Sequence, residues 1–120
     1  MHPSTHARTH PEKAAVIMAA SGETITYAQL DDRSNQGAQL FRSLGVNTGE
    51  GISIFMENSP RYHEILWAAQ RSGIRITAIS SKLNAGEVAY IVGDSHSKVF
   101  IASASLADIA LEVAAGLSDV

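Results

Sequence analysis

Short apolar runs alternate with stretches whose apolar residues recur every three or four positions, and this pattern restricts the fold more than any other feature. Ile52–Met56, Ile74–Ile79 and Lys98–Ala102 are the runs. Each is too short for a helix of ordinary length, so each reads as a strand, and Ile52–Met56 as a buried one. Strands that alternate with helices build a parallel sheet with right-handed crossovers. The expected class is therefore α/β, a layered parallel-sheet unit.

The helices carry their own start signals. Thr26 stands three residues before Gln29, a capping-box spacing. Tyr27, Leu30, Ser34, Gly37, Ala38, Phe41 and Leu44 then fall on one helical face, and Gly45 is placed to end it. Asp31, Asp32, Arg33 and Arg42 read as solvated charges. Ser59 before Pro60 predicts a second helix start, since proline suits the first helical position. The stripe Tyr62, Ile65, Leu66 and Ala69 follows. Asn84 with Glu87 repeats the capping box, and Ser105 is placed to cap a last helix bearing Leu106, Ile109, Ala110, Val113 and Leu117. Ahead of these, Ala14–Met18 and Thr24–Thr26 flank Ser21-Gly22-Glu23, which predicts an N-terminal β-hairpin.

Composition bounds the function. The chain has 120 residues, 45% of them hydrophobic, and a formal net charge of -3. That suits one globular domain and argues against nucleic acid as a partner. Cys is absent, which excludes disulfides and thiolate metal sites and is compatible with a cytoplasmic setting. No transmembrane segment is expected, and residues 1–13 lack the apolar core of a secretory signal.

Few residues suggest chemistry. Gly45, Gly49 and Gly51 follow a helix and precede a strand, the reverse of a phosphate-binding loop, so a helix cap and turn are expected. His2, His6 and His10 have helical spacing for a metal, but no carboxylate joins them and Pro3 and Pro11 bracket a very short segment. A frayed N-terminal turn is the expectation. His63 and His96 are isolated, with His63 expected on an exposed helix side. Ser59 lacks the surroundings of a nucleophile elbow. Arg61, Arg71, Arg75, Lys82 and Lys98 are scattered. Lys82 stands out because it follows a parallel strand, and ligands of open α/β sheets gather beyond the carboxyl ends of strands.

Stretches in a fixed order give the chain a likeness. They are His10-Pro11-Glu12-Lys13-Ala14-Ala15-Val16, then Thr26-Tyr27-Ala28-Gln29-Leu30, then Leu44-Gly45-Val46 through Ile52-Ser53-Ile54-Phe55-Met56-Glu57-Asn58-Ser59-Pro60, and Asn84-Ala85-Gly86-Glu87-Val88-Ala89-Tyr90-Ile91-Val92 with Asp94-Ser95. Together they resemble the start of the adenylate-forming superfamily, which includes acyl-CoA synthetases, luciferases and peptide-synthetase adenylation domains. Trp67-Ala68-Ala69-Gln70-Arg71-Ser72-Gly73 looks closest to bacterial fatty-acyl-CoA synthetases.

The resemblance implies that residues 1–120 are the N-terminal part of a large adenylating domain, without its phosphate loop or C-terminal domain. It implies an acid–CoA ligase: a carboxylic acid attacks ATP, with Mg assisting, and CoA then displaces AMP. The acid is expected to be fatty, and the chain alone is expected to be inactive and to hold no cofactor. In some relatives a basic residue in an Asn-x-Arg/Lys-Leu pattern contacts CoA phosphates. Here the pattern is Ser80-Ser81-Lys82-Leu83, so Lys82 matches the basic position while Ser80 replaces Asn. Gly51 stands where relatives usually carry a larger residue. Two other readings stay open: a stand-alone, non-catalytic α/β binding or regulatory module, and a small nucleotide-binding Rossmann-type domain, which the missing glycine loop weakens. A partial sheet would also expose an edge, so self-association through that edge or the last helix is expected.

Overall fold

The computed structural model describes residues 1–120. Its elements run α1 (Pro3–Thr9), β1 (Ala14–Ile17), β2 (Thr24–Thr26), α2 (Tyr27–Ser43), β3 (Gly51–Phe55), α3 (Pro60–Arg71), β4 (Arg75–Ile79), α4 (Ala85–Asp94), β5 (Ser97–Ala102), a 3-10 turn (Ala104–Leu106) and α5 (Ala107–Ala115). β1 and β2 pair antiparallel as the expected hairpin. The parallel strands form a separate sheet in the order β4-β3-β5.

Central β3 is buried at every residue, and its period of two splits the core. Ile52 packs with Phe41, Val46, Ala68, Ala69 and Ile74 beneath α2 and α3. Phe55 faces the other way, onto Ile79, Val88, Val92 and Val113 beneath α4 and α5. Chain direction explains the layers. The step from β3 to β4 and the step from β4 to β5 go opposite ways across the sheet, so right-handed crossovers put α3 and α4 on opposite faces.

The caps form as the local sequence predicts. Gln29 N–H donates to Thr26 Oγ1 at 3.2 Å and Thr26 N–H to Gln29 Oε1 at 3.0 Å. Glu87 N–H donates to Asn84 Oδ1 and Asn84 N–H to Glu87 Oε2, both at 3.0 Å. Thr26→Ala should cost about 1 kcal/mol of stability, the usual value of such a cap, read as a lowered urea midpoint. Gly45 ends α2 in the left-handed region at φ +78°.

Several expectations need correcting. The N-terminal segment is a docked helix, because Pro3 is buried and the His2 and His6 rings lie against Trp67 and Tyr27. Tertiary contact supplies what so short a helix lacks alone. Ser105 caps nothing: it lies within the 3-10 turn, and α5 starts without a side-chain cap. Leu44 is exposed rather than buried, since it falls at the C-cap, past the last full turn. Asp31 and Arg33 are not free charges. Arg71 pairs with Asp31 at 2.6 Å and hydrogen-bonds Asn35, and Arg33 pairs with Glu64 at 2.9 Å. Glu64 is buried beside α2, and Arg61 approaches its other oxygen at 3.7 Å. These pairs tie α2 to α3.

Candidate functional site at the carboxyl edge of the sheet

Parallel strands bring all their carboxyl ends to one edge, where ligands of open α/β sheets bind. Three segments meet there: Met56–Ser59 after β3, Ser80–Leu83 after β4 and Ser103–Ser105 after β5.

After β4 the chain makes a tight turn. Leu83 N–H donates to the Ser80 carbonyl at 3.2 Å, and Lys82 N–H lies 3.4 Å from Ser80 Oγ. The Lys82 side chain is exposed and forms no ion pair. The turn ends at the Asn84 cap, so Lys82 is held between the end of β4 and the start of α4.

After β3 and β5 the loops are tied together. Ser103 N–H donates to the Phe55 carbonyl at 3.2 Å, and Ser103 Oγ donates to Glu57 Oε2 at 2.5 Å. The hydrogen bond from Ser103 holds the Glu57 carboxyl below its ordinary range, helped by backbone and Ser105 donors. Ser59 Oγ accepts from Arg61 N–H at 3.2 Å and caps α3, so it is a structural hydroxyl. The edge thus carries one free cation and one hydrogen-bonded carboxylate. It has no nucleophile–base pair.

Other candidates lie elsewhere. His63 is exposed on α3, on the side away from the apolar stripe, as expected. His96 is exposed at φ +54° with Nδ1 2.8 Å from the Asp94 carbonyl. His2 and His10 cap opposite ends of α1, and no cluster of three or more metal-binding side chains occurs in the chain. Gly51 has no close neighbour to an added Cβ, the nearest being the Ser95 carbonyl at 3.5 Å.

Sequence reasoning passed over Glu57. The signal was available: like Lys82, it closely follows a run that reads as a strand.

A model of the family described as AMP-binding enzyme matches residues 4–119. The chain belongs to the AMP-binding enzyme family. Among curated members, long-chain fatty acid transport protein 1 of Mus musculus is 33% identical over 107 residues, covering 89% of this chain and 17% of the relative. A long-chain-fatty-acid–CoA ligase of Mycobacterium tuberculosis is 30% identical over 103 residues, covering 86% of this chain and 20% of the relative. The crystal structure of the N-terminal domain of FACL13 from Mycobacterium tuberculosis superposes with a TM-score of 0.88 at 27% identity, covering 98% of this chain and 30% of that one. The chain therefore spans about a fifth of the length of the curated relatives it matches. Its α/β layering is that of the N-terminal domains of adenylate-forming enzymes. No helix is long and apolar enough to cross a membrane.

Proposed function

We propose that residues 1–120 are the N-terminal part of a cytoplasmic, ATP-dependent acid–CoA ligase that acts on fatty acids. The observation that carries this reading is the likeness, over nearly the whole chain, to fatty-acid–CoA ligases in both sequence and structure. The reaction class is adenylation of a carboxylic acid by ATP with Mg, which releases pyrophosphate, followed by transfer of the acyl group to the CoA thiol, which releases AMP. ATP would supply the adenylyl group, and Mg the positive charge that stabilises its transfer.

In this reading the chain's own contribution is scaffolding and one cation. Lys82, at the carboxyl edge, meets a CoA phosphate as a point charge. The Glu57–Ser103 bond holds the neighbouring loops so that the edge keeps its shape. The chain contains no Ser/Thr/Gly-rich run ending in Pro-Lys-Gly, so purified alone it should show no fatty-acid-dependent ATP–pyrophosphate exchange. Exchange by the purified chain would contradict this.

A chimera tests the whole reading. Residues 4–119 would replace the matching segment of the Mycobacterium tuberculosis ligase. The chimera should form fatty-acyl-CoA, and a folded chimera with no adenylation would overturn the assignment. Within it, Lys82→Ala should raise KM for CoA about fivefold, roughly 1 kcal/mol for one exposed charge-assisted contact. The fatty-acid-dependent exchange step should not change. An unaltered KM for CoA would remove Lys82 from the site.

The outer edges of β4 and β5 have no strand partner. The inner side of α5 packs on the sheet through Ile109 and Val113, with Leu117 just beyond its end, while Leu111 stays 70% exposed. We expect self-association of the isolated chain through a sheet edge or this helix. A monomer persisting at about tens of micromolar in analytical ultracentrifugation would contradict it.

A further inference from the structure

The N-terminal helix is fastened by an unusual cap. His2 Nδ1 accepts the Ser4 backbone N–H at 3.1 Å, and Ser4 Oγ lies 2.9 Å from the same nitrogen. Accepting at Nδ1 requires a lone pair there, so the ring is neutral and carries its proton on Nε2. That Nε2 is buried without a hydrogen-bond partner. The ring stands edge-on to Trp67 of α3, centroids 5.2 Å apart at 80°.

The charged groups around it come from each packed element. α3 presents Arg71, whose own Nε is also buried and unpartnered. α2 presents Asp31, already paired with Arg71 at 2.6 Å. The chain's amino terminus is the remaining one. A proton added at Nδ1 would destroy the acceptor that caps the helix. It would also place an imidazolium, with its second N–H unsatisfied, beside a guanidinium whose counter-charge is already engaged.

We propose that His2 is an acid-sensitive latch: neutral, it caps α1 and holds it on α2 and α3; protonated, it releases the helix. Burial first, then Arg71, lowers the His2 pKa from 6.5, and Asp31 opposes the shift only in part. The sign follows. A docked pKa below the undocked value means that latching contributes fully above pH 6.5 and is lost as pH falls through the docked value.

Trp67 is the only tryptophan, so all emission comes from the surroundings of this contact. The full chain would be titrated from about pH 8 to about pH 5, with far-UV circular dichroism recorded in parallel. The expected result is one red-shifting step in emission with a midpoint below 6.5, retained secondary structure elsewhere, and loss of amide protection in residues 3–9. His2→Asn keeps a side-chain acceptor but cannot titrate, so the step should vanish. His6→Asn should leave it in place. Arg71→Gln removes the repelling charge and should move the midpoint upward. If His2→Asn cannot dock α1 even at neutral pH, the Arg71→Gln shift decides alone. A step that survives His2→Asn, a wild-type chain without one, or an Arg71→Gln midpoint that stays or falls would overturn the latch.

Discussion

Phe55→Ala should remove a large share of the chain's stability. Phe55 is fully buried at the end of the central strand, its ring 6.3 Å from that of Phe100 and enclosed by Ile79, Val88, Val92 and Val113. Truncating a phenylalanine so placed costs about 3–5 kcal/mol, from lost transfer energy and from the cavity left behind. Domains of this size are stable by only about 5–15 kcal/mol. Only 20 of 120 residues are buried, so few other contacts can compensate. Urea unfolding should show the midpoint collapsing with the alanine variant, while Phe55→Leu loses roughly 1–2 kcal/mol because most of the volume stays filled. A Phe55→Ala protein within about 1 kcal/mol of wild type would mean that the α4/α5 side of the sheet is not a packed core.

Gly37→Ala should destabilise the chain although alanine favours helix by about 1 kcal/mol over glycine. A Cβ on Gly37 of α2 would lie 2.7 Å from Ala68 Cβ of α3. Ala68 is fully buried and has no flexible end that could move aside. The helices must therefore separate, straining the Arg33–Glu64 and Arg71–Asp31 pairs that span them. Such overpacking costs typically about 1–3 kcal/mol. The sign should reverse at Gly93 in α4, where an added Cβ meets nothing within 4 Å: Gly93→Ala should stabilise by about 0.5–1 kcal/mol. Adding Ala68→Gly to Gly37→Ala should restore part of the loss, because the methyl group is then carried by the facing helix. Equal effects at Gly37 and Gly93, measured by denaturant midpoints, would mean that the interhelical contact is looser than this packing requires.

Much of the fold is legible in the sequence. The capping boxes at Thr26 and Asn84, Ser59 with Pro60, and the left-handed glycine after α2 act over three or four residues, and each formed where the local pattern put it. Ser105 shows where local reading fails. A serine before an apolar stripe satisfies the pattern, but the chain first tightens into a 3-10 turn whose N-cap is Ser103. Ser103 is also the residue bound to Glu57, 46 positions earlier in the chain, so the site-edge contact was invisible to any short window. Lys82 was legible as a candidate because its place after a strand follows from element order alone.

What the sequence determined by itself was the element order, the caps, the parallel sheet and the kinship with adenylate-forming enzymes. These depend on periodicity and on motif order, which are properties of the linear chain. The tertiary structure alone decided how charges are matched and which weak elements survive. Asp31 and Arg71 are 40 residues apart, and Arg33 and Glu64 are 31 apart. Nothing in the spacing of such pairs marks them as partners; the packing of α2 on α3 does. The same packing turns a seven-residue segment, too short to be helical in isolation, into a docked helix by giving His2 a tryptophan edge and Pro3 a buried seat. Local preference supplies tenths of a kcal/mol per residue there, and burial against the two helices supplies the rest.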